Sequence, residues 1–186
     1  AAVVGYTTLR TLTGMARTVT EQVAHVAGVE FARQYAQEDM AALQRLYRFT
    51  GRLTGGLAGA LAGLIAVIGP PFLAIWTLGR VPFAPGVFWP LLAAAALAGP
   101  TLAGGALLYF INRPRGLAVA TFAGGAVTFG LALALVPHFG AAGAAVAVLV
   151  AEAGVAGIAV PTMAARIAGM AALPRIAAGQ LSAAIA

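Results

Sequence analysis

Long uncharged stretches alternate with short polar ones along this chain. Residues 53–79 carry no formal charge, nor do residues 81–112 or 116–151. A helix crossing a bilayer needs about 20 predominantly apolar residues, so the first two stretches can each hold one crossing and the third can hold two. Prolines and glycines divide them. Pro70-Pro71 is expected to end the first regular helix, because proline lacks an amide donor and clashes with the carbonyl four residues back. That places a crossing at 51–70, with Phe72 to Leu78 continuing at an interface where Trp76 can anchor. Pro82, Pro85 and Pro90 crowd the start of the second stretch, so its crossing falls near 87–111. Pro137-His138-Phe139-Gly140 breaks the third into crossings near 116–136 and 141–163.

The opening segment, 3–34, also has helical character but is not uniformly apolar. At about 100° per residue, Arg10, Arg17, Glu21 and His25 fall within an arc of roughly 80° on one helical face, with Thr7 and Thr13 close by. A charge at mid-bilayer costs at least about 2.5–3.5 kcal/mol, so this stripe cannot face lipid. The chain has too few polar partners to bury four such groups dry, and a water-filled cavity is the expected surrounding. Arg17 and Glu21, spaced i and i+4, can also simply neutralise each other. Arg10 has no acidic neighbour at helical spacing, so its charge is the one offered to an anion. His25 is either a proton-sensitive group or a structural hydrogen-bonder. Glu152 stands near the middle of the 141–163 helix, where a solitary carboxylate is protonated, paired, or part of an ion route. Its natural partner is an arginine of the first helix, if the two helices adjoin.

The connection 34–50, QYAQEDMAALQRLYRFT, reads as a short amphipathic helix along the cytoplasmic headgroups, with Asp39 as its cap and Met40, Leu43, Leu46 and Tyr47 as its apolar face. Asn112-Arg113-Pro114-Arg115 is a tight turn whose arginines serve topology. The tail, 164–186, has Arg166, Arg175 and a break at Pro174; it either lies on the membrane surface or begins one further crossing. Glycines at 51, 55, 59 and 63 form a stripe every four residues, and Gly124-Gly125 and Gly143/Ala147/Ala151 form similar ones. Such stripes let helix backbones approach closely; the sharper reading is a sliding surface for conformational change.

Composition agrees. Hydrophobic residues make up 61% of the 186 positions, charged residues only 9%, and the mean hydropathy is +0.94. Soluble domains carry about a quarter of their residues as charge. The expected fold is therefore all-α, a polytopic transmembrane bundle of about five to six spans. The net charge is +6, but the arginines form no patch, so no nucleic-acid partner is expected. Their distribution does set an orientation. Arg33, Arg45, Arg48 and Arg52 lie in 33–52, Arg113 and Arg115 in 112–115, and two more in the tail, whereas the intervening connections hold only Arg80. By the positive-inside rule, 33–52, 112–115 and the tail face the cytoplasm.

Several chemistries are excluded. With no cysteine there are no disulfides and no thiolate metal sites. No phosphate-binding glycine loop, nucleophile elbow or metal-ligand spacing of His, Asp and Glu occurs, so neither enzyme activity nor a metal or cofactor is expected.

In order and spacing the segments resemble the polysaccharide-export branch of the MOP superfamily, whose relatives include MurJ and the MATE exporters. The stretches concerned are VVGYTTLRTLTGMARTVTEQV, QEDMAALQRLYRFTGRL, GPPFLAIWTLGRVPF, LLYFINRPRGLAVA and LVPHFGAAGAAVAVLVAEAGVAG. The family's W-x-x-G after a double proline corresponds to Trp76–Gly79, and its P-x-F-G-x-x-G-A-A turn to Pro137–Ala145. One departure is Gly28-Val29-Glu30, which stands where many relatives have a proline near a bend. The resemblance implies that residues 1–186 are part of the C-terminal lobe of a two-lobe transporter, which agrees with a chain opening Ala1-Ala2-Val3-Val4 without a methionine or signal layout. It further implies an N-terminal lobe as partner and a polyprenyl-pyrophosphate-linked oligosaccharide as cargo, flipped across the bacterial inner membrane. Arg10 and Arg17 would hold the pyrophosphate, with Glu21 tuning or releasing them. The alternatives are a MATE-like, cation-coupled exporter using Glu21 and Glu152, a non-transporting scaffold subunit, and, with least to support it, an embedded glycosyltransferase.

Overall fold

A computed structural model describes residues 2–170; the expectations for Pro174, Arg175 and a further crossing in the tail lie outside them. Within the described residues the chain is entirely helical, with no strand. The helices are α1 (Ala2–Ala36), α2 (Met40–Trp76), α3 (Pro85–Phe110), α4 (Pro114–Phe139), α5 (Ala141–Ala151) and α6 (Gly157–Ile167), with a π-helical turn at Glu152–Ala156 joining the last two. Four are long and apolar enough to cross a membrane: α2, α3, α4 and the continuous run Ala141–Ile167. This is a multi-pass helical membrane protein.

Two apolar clusters set the directions of the helices. At one end, Leu9 and Leu12 of α1 gather with Leu73 of α2, Val87, Phe88 and Leu91 of α3, and Ala145 of α5. At the other end, Phe31 of α1 meets Leu43 and Tyr47 of α2, Leu107 and Ile111, and Ala164 of α6. Hence α1, α3 and the α5–α6 run are parallel, and α2 is antiparallel to them. Although α1 is too polar to qualify as a span by composition, it runs the same depth as α3, from one cluster to the other.

The ends of the helices have local causes. The Asp39 carboxylate accepts a hydrogen bond from the Ala42 amide at 2.8 Å and caps α2, as its position predicts. The turn after α2 places Gly79 at φ +71°, and α4 stops at Gly140, φ +57°, a backbone conformation that glycine adopts without a Cβ penalty.

Two expectations are corrected. Pro70-Pro71 does not end the helix: α2 runs through both to Trp76, and Pro90, Pro100, Pro137 and Pro161 are likewise helical. In hydrocarbon an interrupted helix exposes backbone groups with nothing to bond them, so the helix continues and absorbs the proline locally. The segment 34–50 is also no separate surface helix. Its greater part is the opening of α2, and Leu43 and Tyr47 are fully buried in the cluster with Phe31 and Leu107. The apolar face found in the sequence is real, but it meets protein instead of headgroups.

Between the clusters the helices approach on small residues. A Cβ added at Gly99 would lie 2.5 Å from the Ala58 Cβ and 2.7 Å from the Thr54 carbonyl oxygen, so α2 and α3 cross nearly backbone to backbone. Gly51 and Gly55 are buried in this region, while Gly63 has open space around it, so only part of the α2 glycine stripe is used. Gly28 lies beneath the Phe110 ring, and α1 passes that point unbroken. Gly143, Ala147 and Ala151 are all buried, and Gly143 approaches the Leu135 backbone of α4. By contrast α4 buries only Ala120 among its described residues and leaves Phe122, Phe129 and Leu133 exposed. In water that surface would be untenable; in a bilayer it is ordinary.

Candidate functional site

A cavity of about 660 Å³ opens between α1, α3, α4 and the α5–α6 run. Arg10, Arg17 and Tyr6 reach it from α1, Glu152 from the π turn, and Thr101 from α3. From α4 come Thr121, Gly124, Gly125 and Thr128, a stripe at helical spacing. Leu9 and Leu12 lie level with Val87–Leu92, and Gly28 lies level with Phe110. Arg17 therefore sits near the middle of α3, at mid-depth.

There the Arg17 Nη1 meets the Glu152 Oε2 at 3.1 Å. The carboxylate is the better shielded partner, 14% exposed against 45% for the guanidinium. The two helices do adjoin, and the pairing with an arginine of the first helix is the one realised. The i,i+4 neutralisation by Glu21 is not: among the described residues Glu21 makes no ion pair, and Arg10 makes none. The second oxygen of Glu152, Oε1, is buried with no hydrogen-bond partner among the described residues. Glu152 also begins the π turn, whose carbonyl accepts from the Gly157 amide five residues on. Single π turns inside α-helices occur frequently at functional sites.

The four-residue stripe of α1 is thus divided. Arg10 and Arg17 line the cavity; Glu21 and His25 do not. His25 is exposed, its ring 5.1 Å from that of Phe110 in an edge-on arrangement and 6.1 Å from that of Tyr109. Thr13, near the stripe, is buried and returns its hydroxyl to the Leu9 carbonyl at 3.0 Å. Tyr6 and the three cavity threonines were not singled out by sequence. The Thr121/Gly124/Gly125/Thr128 spacing was the available signal, one polar and small-residue face on an otherwise apolar helix. Thr101 and Thr128 donate to the Ala98 and Gly124 carbonyls at 2.7 and 2.9 Å, leaving their lone pairs as acceptors toward the cavity. No group of three or more His, Cys, Asp or Glu among the described residues can hold a metal ion.

The arrangement is a largely apolar chamber that carries charge at two levels: the Arg17–Glu152 pair at mid-depth, where charge is most costly, and Arg10 nearer the end that holds Leu9 and Leu12. It defines a multi-pass membrane protein with an open cavity onto which a few polar and charged side chains project. The sequence matches no family model, no curated protein and no solved structure.

Proposed function

We propose that this chain is the C-terminal lobe of a flippase that carries a polyprenyl-pyrophosphate-linked oligosaccharide across a bacterial inner membrane, working with an N-terminal lobe about a shared cavity. The observation that carries the reading is Arg10, a guanidinium without an acidic partner among the described residues, on the wall of an open chamber that also holds Arg17. An intramembrane charge facing a cavity is by default functional, and the planar fork of arginine matches phosphate oxygens with two parallel charge-assisted hydrogen bonds. The threonine and tyrosine hydroxyls around it suit a cargo rich in hydroxyl groups. On this reading Arg10 takes the first phosphate. Arg17, held in reserve by Glu152, takes the second, so that Glu152 replaces Glu21 as the residue that releases the anion. The end bearing Arg33, Arg113, Arg115 and Arg166 faces the cytoplasm. In the complete protein, Arg10→Ala is expected to lower surface glycan export about 10–100-fold, the range set by losing one charge-assisted hydrogen bond, with Arg10→Lys intermediate. Normal export at normal protein level removes Arg10 from the mechanism.

The second reading is a cation-coupled exporter, favoured by the buried Glu152 Oε1, which has a lone pair to give a proton or a cation. It reverses the order of effects: Glu152→Gln abolishes transport while Arg10→Ala is tolerated.

A further inference from the structure

At the end of the bundle that carries most of the arginines, α4 and α6 part to leave a second cleft, of about 510 Å³. Its rim is the turn between α3 and α4, with Asn112 and Arg113, and the first turn of α4, with Arg115. Its inner wall is apolar, formed by Leu108, Met163 and Ile167. It is separate from the mid-depth cavity, because Leu108, Ala120 and Val160 close together and pin α4 to α3 and α6 between the two openings. At the floor of the cleft Gly116 lets α4 come close to α6: a Cβ there would lie 2.8 Å from the Met163 sulfur.

We infer that this cleft binds an anionic phospholipid, the phosphate held by Arg113 and Arg115 and one acyl chain lying against Met163 and Ile167. Charge is the first argument. Among the described residues neither arginine makes an ion pair, and no acidic residue lines the cleft. Arg113 is held in place, since its Nη2 donates to the Tyr35 hydroxyl at 3.3 Å, and the turn is fixed with Asn112 at φ +57°. A located guanidinium loses less freedom on binding than a loose one. Shape is the second argument. A polar rim directly above an apolar slot at the end of a membrane-spanning bundle has the amphipathic order of a phospholipid, headgroup at the interface and chain toward the centre. A topological role for the arginines needs charge alone and leaves the slot unexplained. Basic pockets between transmembrane helices bind anionic headgroups in this way. The inference does not rest on the cargo proposed for the other cavity.

The test uses the full chain in neutral detergent, with phosphatidylglycerol or phosphatidylcholine titrated in and bound lipid counted by native mass spectrometry. Each basic residue near an anionic surface contributes about a factor of five, so phosphatidylglycerol is expected to bind roughly 25-fold more tightly than phosphatidylcholine. The double substitution R113Q/R115Q is expected to remove that preference and leave phosphatidylcholine unchanged, while R113K/R115K keeps most of it. Equal binding of the two lipids by the unaltered protein overturns the inference without any variant. An undiminished preference in R113Q/R115Q overturns it as well, and so does displacement of phosphatidylglycerol by millimolar inorganic phosphate, which would mark a bare anion site.

Discussion

Removing one member of the Arg17–Glu152 pair tests whether the two helices are held together by charge at mid-depth. The pair is neither a surface bridge nor a fully buried one. Exposed pairs contribute about 0–1 kcal/mol, and breaking a buried one costs about 3–5 kcal/mol because a charge is left without its partner. With the guanidinium 45% exposed and the carboxylate 14%, the expected values lie between. Glu152→Gln leaves a half-exposed arginine that still reaches the cavity, and about 1–2 kcal/mol is expected. Arg17→Gln strands the better buried partner, whose Oε1 already lacks a hydrogen bond, and about 2–3 kcal/mol is expected. The double variant R17Q/E152Q puts two amides where the charges stood and should recover about 1–2 kcal/mol relative to the sum of the singles. The assay is equilibrium unfolding of the full chain in mixed micelles as the SDS fraction rises, followed by tryptophan fluorescence. If the two substitutions simply add, within about 0.3–0.5 kcal/mol as independent sites do, the pair is not an energetic link between α1 and the π turn.

Three further outcomes follow from local geometry. Gly99→Ala forces its new Cβ against Ala58 and the Thr54 carbonyl; about 1–3 kcal/mol is expected in the same unfolding assay, with partial recovery on adding Ala58→Gly. Asp39→Ala removes the cap of α2 and should cost about 1 kcal/mol, measured likewise, and an unchanged midpoint would mean that the tertiary burial of Leu43 and Tyr47 alone fixes the helix start. Because the chain has no cysteine, single-cysteine labelling reads the cavity directly: Thr121→Cys should react with a charged thiol reagent in membranes, and Val67→Cys, exposed on the outer side of α2, should not.

The helices were legible because hydrocarbon makes few demands and states them plainly: long uncharged runs, and no open backbone. α3 and α4 fall within a few residues of their predicted spans for that reason. The proline pair at 70–71 misled because the rule that proline ends a helix is calibrated in water, where freed carbonyls can be hydrated. The segment 34–50 misled differently. Its amphipathic pattern specifies a buried face but not what buries it, and only the antiparallel return of α2 along α1 and α3 decides between headgroups and protein. The charged stripe of α1 named four residues on one face, and the fold divides them by depth: Arg10 and Arg17 reach the cavity, whereas His25 lies farther along beside Phe110 and Tyr109. Angular position is written in the sequence; which level along a helix meets a cavity is a property of its neighbours. Glu152 was found because a lone carboxylate in an apolar helix is conspicuous, and its choice of Arg17 over Arg10 is set by the depth at which the π turn sits.

That π turn bears on what the cavity is for. A leucine at 152 within a regular α-helix would bury apolar surface and keep every carbonyl in its ordinary bond, at less cost in free energy than a charged pair beside a widened turn. The chain departs from both preferences at one residue, and that residue lines the cavity. Elsewhere the internal prolines of α2 and α3 depart from propensity alone, while apolar pattern and packing agree along both helices. Where two local rules are broken together at one residue, a functional position is the expectation to test.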